Sequence, residues 1–198
     1  MANSNNPNGL VPFAPGGGAS ATNFVLRRCQ ISYNYGTKIF KGDPVAMQAS
    51  GYIAQWTAGT GVSQLAGVFW GCEYLSQSLG YTRENVYWPA TDVASTSVVS
   101  AFIIPCDLAS PMWFLAQSGS TGLTQADVGA NVDVNLGTGS TTTGISGAYL
   151  GDTLTTTNTL PFKIMALFGD VGGIGNGTST GAYARAYVAA NITSSTGI

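Results

Sequence analysis

The sequence has no histidine, and only 8% of its residues are charged, against about 25% in ordinary soluble proteins. Without an imidazole there is no Ser-His-Asp or Cys-His catalytic apparatus, and zinc or non-haem iron sites built on histidine are excluded with it. Seven Lys+Arg against nine Asp+Glu give a formal net charge of −2. Phosphate neutralisation needs clustered cations, so nucleic acid is excluded as a partner. Long apolar runs are also missing. The longest, such as Val98–Ile104, fall far short of the roughly 20 residues of a spanning helix, so no membrane partner is expected. The chain begins with Asn, Pro and Gly in place of the cationic start and apolar run of an export signal, so none is expected.

Cysteine is scarce: Cys29, Cys72 and Cys106, an odd number, far apart and with no C-x-x-C. Buried, reduced thiols acting as small hydrophobes are expected, consistent with synthesis and assembly in a cytosol. There is no P-loop, no G-x-S-x-G elbow and no G-x-G-x-x-G. Asp133–Thr138 starts like a calcium loop but carries Gly and Thr where it needs further ligands and a turn glycine. No metal or other cofactor is expected.

What is present is a chain of 198 residues, 44% hydrophobic and 11% aromatic. That is long enough to bury a core without disulfides and too apolar for disorder. Residues 1–22, MANSNNPNGLVPFAPGGGASAT, offer only Leu10, Val11 and Phe13 as apolar anchors. They read as an extended N-terminal arm. Fully extended, the arm reaches roughly 70 Å, whereas a compact domain of this size has a radius of gyration of about 16 Å. It is long enough to cross onto a neighbouring molecule.

Residues 23–198 read as a single β-rich domain. Short runs of Val, Ile, Tyr, Phe and Trp alternate with Gly, Asn and Pro clusters, the pattern of strands and turns. Strands are predicted over 24–31, 38–40, 44–48, 52–56, 64–74, 85–88, 97–104, 113–117, 131–135, 160–168 and 183–192. Lys41-Gly42-Asp43-Pro44 reads as a turn. The stretch 76–83 reads as a loop. One short helix fits 123–128, with Thr124 as its cap and Asp127 near N3. The stretches 137–159 and 169–181 are Gly/Thr/Ser-rich loops, the first with room for a polar β-ribbon. The fold class is all-β: a compact β-barrel or a jelly-roll-like sandwich of short strands, the barrel narrowly preferred.

Individual residues yield little chemistry. Glu73, between Cys72 and Tyr74 at the end of an apolar run, is the best semi-buried acid, and pairing with an arginine is its ordinary role. Arg27-Arg28 is the one adjacent basic pair. On a strand the two point to opposite faces, to hold a partner's carboxylate or to sit in solvent. Of Trp56, Trp70, Trp88 and Trp113, at least two belong in the core. Trp88, at the strand end Tyr87-Trp88-Pro89, is the candidate exposed anchor.

Several segments carry a resemblance: Lys41-Gly42-Asp43-Pro44-Val45, the run from Ala66 to Tyr74, Tyr87-Trp88-Pro89, the run from Ala126 to Asp133, and Leu160-Pro161-Phe162-Lys163. Together they resemble the small structural proteins encoded beside the major capsid protein in tailed phages, the capsid decoration or cement proteins. The likeness spans most of residues 24–190 and rests on turns and core positions. It implies a β-rich virion protein on the outer capsid surface. Such a protein binds the major capsid protein and clamps neighbouring capsomers, usually as a dimer or trimer, with no catalytic residues. Leu10, Val11, Phe13, Arg27, Arg28 and Trp88 are then the candidate interface residues. Two other readings stand beside it. One is a β-structured carbohydrate-binding or adhesion module of a tail, fibre or cell surface. The other is a glycosidase-like enzyme using two of the nine acids.

Overall fold

The computed structural model describes residues 4–13, 24–57, 65–106, 112–156, 160–168 and 180–191. The described residues carry twelve strands, one 3₁₀ turn and no α-helix, and no helix long and apolar enough to cross a membrane. The first six strands are β1 (Val11–Phe13), β2 (Arg27–Ile31), β3 (Pro44–Met47), β4 (Ile53–Gln55), β5 (Leu65–Leu75) and β6 (Thr82–Asn85). The others are β7 (Val99–Pro105), β8 (Trp113–Gln117), β9 (Asn131–Asn135), β10 (Tyr149–Thr155), β11 (Phe162–Leu167) and β12 (Arg185–Ala190).

They form two antiparallel sheets packed face to face, an all-β sandwich that does not close into a barrel. The narrow preference for a barrel is thereby corrected. One sheet has the order β1-β8-β12-β11-β9-β10; the other runs β2-β7-β5-β3-β4, with β6 paired to the far half of β5. Between the sheets lies a core that includes Leu10, Trp56, Leu65, Val68, Phe114, Phe162 and Val188.

A second core covers the outer face of the β2-β7-β5-β3-β4 sheet, with Ile39, Phe69, Tyr74, Trp88 and Ile103. This sheet is therefore apolar on both faces. Strand β5 serves both cores by breaking its own alternation. Register shifts around Ala66 and around Trp70 each insert a residue and flip the side-chain order. Leu65, Val68 and Trp70 consequently face the inter-sheet core, while Ala66, Phe69 and Cys72 face the outer one. Gly67 lies between them, and a Cβ there would sit 2.3 Å from the Ile104 carbonyl oxygen.

Two segments differ from their predicted form, and in a third the polar β-ribbon for which its composition left room is present in part. The predicted strand 38–40 is a single bridge, Ile39 to Trp88. The predicted loop 76–83 gives its last two residues to β6, which pairs with β5. Within the Gly/Thr/Ser-rich stretch 137–159, residues 149–155 form β10 on β9, at the edge of its sheet. Gly151, Asp152 and the threonines of this strand interrupt the apolar alternation that marks a half-buried strand, so β10 leaves a weak trace in the sequence. The short helix is one 3₁₀ turn, Gln125–Asp127, behind Thr124. Asp127 Oδ2 accepts from the Thr124 N–H at 2.7 Å and from its hydroxyl at 2.8 Å.

Candidate functional site

The predicted arm departs most from expectation. Residues 4–13 are extended, but they lie along the chain's own sandwich. The Gly9 N–H donates to Ala148 O at 3.2 Å and the Leu10 N–H to Gly42 O at 2.9 Å. Strand β1 then pairs antiparallel with β8, Val11 opposite Leu115 and Phe13 opposite Trp113. Leu10 is 2% exposed and belongs to the inter-sheet core. The Phe13 ring lies 4.3 Å from that of Tyr187. The physical reason is an open edge: β8 would otherwise present unpaired N–H and C=O groups, and three apolar residues suffice to cover it. Gly9 makes the approach possible, with φ +71° and a position where a Cβ would meet Ser146 Cβ at 2.7 Å. Residues 14–22 of the predicted arm lie outside the described residues.

The buried Gln117 side chain ties this segment down. Its Nε2 donates to Ser4 O at 2.8 Å and to Tyr183 O at 3.2 Å, and its Oε1 accepts the Asn6 N–H at 2.9 Å. The segment thus walls two concave surfaces. The first is an apolar groove of about 410 Å³, bordered by Leu10, Val11, Lys41, Trp70, Val86 and Ile145. Trp70 forms part of its lining, with the Lys41 ammonium 3.6 Å from the ring centroid and the Phe24 ring edge-on at 4.9 Å. Val11, Val86 and Ile145 are 42%, 46% and 43% exposed, so the groove carries an apolar rim in a chain with few charges.

The candidate interface residues are not brought together. Leu10, Val11 and Phe13 are at the β1 edge of one sheet, with Leu10 internal. Arg27 and Arg28 are on β2, the edge of the other sheet. Both arginines are exposed yet held by their own chain. Arg27 Nη2 donates to Ala66 O at 3.1 Å. Arg28 donates twice to Ser100 Oγ, from Nε at 2.9 Å and from Nη2 at 2.5 Å, and its Nη2 lies 3.9 Å from Glu73 Oε2. Glu73 is therefore half-buried and paired with an arginine. Trp88 is no exposed anchor: it is fully buried in the outer core, its Nε1 donating to Tyr35 O at 2.9 Å. Its bridge to Ile39 turns the strand end inward rather than out to solvent.

Sequence reasoning missed Trp70, Val86 and Ile145. A tryptophan in the middle of an apolar run reads as core; the bulge beside it brings this one to the groove. Among the described residues no three His, Cys, Asp or Glu side chains cluster to hold a metal. The three cysteines are free. Burial pushes the Cys72 and Cys106 thiols up to about 12 and raises Cys29 as well, which keeps the thiols protonated and unreactive at neutral pH.

No protein-family profile, curated protein or solved structure matches this chain.

Proposed function

We propose that this chain is a structural virion protein, a decoration or cement protein. In this reading it binds the outside of a tailed-phage capsid through the major capsid protein and stabilises the shell by bridging neighbouring capsomers as a homo-oligomer. The observation that carries the reading is the apolar rim of Val11, Val86 and Ile145 around the Trp70 groove. Contiguous exposed apolar surface marks interaction sites on soluble proteins, and sparse charge lowers the repulsion between closely set copies. A protein that binds only the assembled shell stabilises it by mass action.

The test mixes the purified chain with shells assembled from the major capsid protein of the parent phage. The wild type is expected to co-sediment with the shells and raise their heat resistance. The double variant Val86→Glu, Ile145→Glu changes two exposed positions, so it is expected to keep the chain's own melting temperature while losing co-sedimentation. Shells that do not retain the wild type, or that retain the double variant equally, refute the reading.

A further inference from the structure

The second concave surface walled by the N-terminal segment has a different chemistry. It is a cavity of about 290 Å³ at one end of the β1–β10 sheet, near the lower size limit of small-molecule sites, about 300 Å³. Tyr149 and Tyr183 are the aromatic residues of its lining, beside the polar Asn5, Ser118, Ser120 and Thr138. None of its lining residues is charged. No lining cation is there to pair with a phosphate or carboxylate ligand, and the Asp152 carboxylate that packs against Gly119 is not itself part of the lining and accepts the Thr121 N–H at 3.3 Å. The ligand that matches is neutral, rich in hydroxyls, and carries C–H faces that rest on tyrosine rings.

The cavity is also a constructed one. Five separate stretches of chain meet in it, and the buried Gln117 amide clamps two of them, the N-terminal segment through Ser4 and Asn6 and the Tyr183 turn through its carbonyl. Gly137 and Gly147 press their backbones together in another wall, where a Cβ on Gly137 would lie 2.1 Å from Gly147 O. Tyr183 has φ +58°, a conformation that L side chains rarely adopt. It is held there by its N–H, which donates to Gly119 O at 3.0 Å. Strain maintained by its surroundings concentrates at binding sites, and here the strained residue lines the cavity.

We infer that this cavity is a binding site for a neutral glycan, taking one or two sugar rings between Tyr149 and Tyr183, independently of any contact with a capsid. The test is a glycan microarray followed by saturation-transfer NMR on the full chain. The NMR probes are methyl α-glucopyranoside, methyl β-galactopyranoside and N-acetylglucosamine, with glucose 6-phosphate as the charged control. Saturable binding to neutral glycans is expected, with the charged control weaker. Tyr149→Ala and Tyr183→Gly are each expected to weaken it at least about tenfold. Glycine relieves the positive φ at position 183, so Tyr183→Gly is expected to retain the parent's amide spectrum and melting temperature while losing the sugar. The inference is overturned by an array and NMR series without saturable neutral binding. It is equally overturned by binding that survives both substitutions, or by a preference for the charged control.

Discussion

Asp43 is the residue on which the junction between β3 and its neighbouring loops depends. It is 2% exposed. Its Oδ2 accepts the Phe40 N–H and the Gln55 Nε2 at 2.8 Å each, and its Oδ1 accepts the Ser146 hydroxyl at 2.5 Å. Burial pushes the carboxyl above its ordinary range, and these three hydrogen bonds, from Ser146, Phe40 and Gln55, pull it only partly back. The fold thus shifts the carboxyl's balance toward the neutral form relative to the unfolded chain. The stability this group contributes is full below the unfolded value of about 3.9 and declines as pH rises through the raised folded value. Asp43→Asn mimics the neutral acid, so its melting temperature relative to wild type is expected to be higher at neutral pH than at pH near 4; parallel melting curves across that range contradict this. Asp43→Ala strands three donors and is expected to cost roughly 2–4 kcal/mol in denaturant unfolding. Part of this corner was legible: Gly42 and Pro44 announce the turn, and Gly42 indeed has φ +99°. Ser146 as partner was not, because it lies 103 positions away and no local pattern encodes so distant a hydrogen bond.

At the scale of elements, two strands were legible to the residue, and the long aromatic and β-branched runs were legible as strands with bounds one to three residues off. Trp113–Gln117 and Asn131–Asn135 match β8 and β9, because each has a polar or glycine-rich boundary on at least one side. The short, polar or flanking strands were not: β6 is Thr-Arg-Glu-Asn, and β1 holds three residues beside a proline- and glycine-rich stretch. Such strands exist because a neighbour offers an edge. β1 also provides a sharp prediction. Leu10 is buried in the inter-sheet core of its own chain, so Leu10→Ala is expected to destabilise the isolated protein by about 2–5 kcal/mol in equilibrium unfolding. A freely dangling arm predicts no change, and a loss below about 1 kcal/mol, within the ordinary range of surface substitutions or little beyond it, contradicts the docked strand.

For the whole molecule, sparse charge has a direct consequence. Among the described residues one ion pair is present, Arg28 with Glu73 at 3.9 Å, the arginine exposed and the glutamate half-buried. Exposed pairs contribute little and are screened by salt. Folding stability is therefore expected to change little between low and physiological ionic strength, as read by thermal melts in a non-interacting buffer; a steep salt dependence shows that charge carries more of the stability than the structure assigns it. By itself the sequence determined the all-β class, the absence of imidazole chemistry, the lightly charged surface and the turn at Gly42-Asp43. All of these follow from composition or from neighbours along the chain. Only the tertiary structure decided that the sheets stack without closing and that Trp88 is core while Trp70 lines a groove. It also decided that the N-terminal segment lies on its own sheet, walling an apolar groove on one side and a tyrosine-lined cavity on the other. These depend on sheet edges, bulges and hydrogen bonds between residues far apart in sequence, and strand periodicity carries no record of which edge a segment will find.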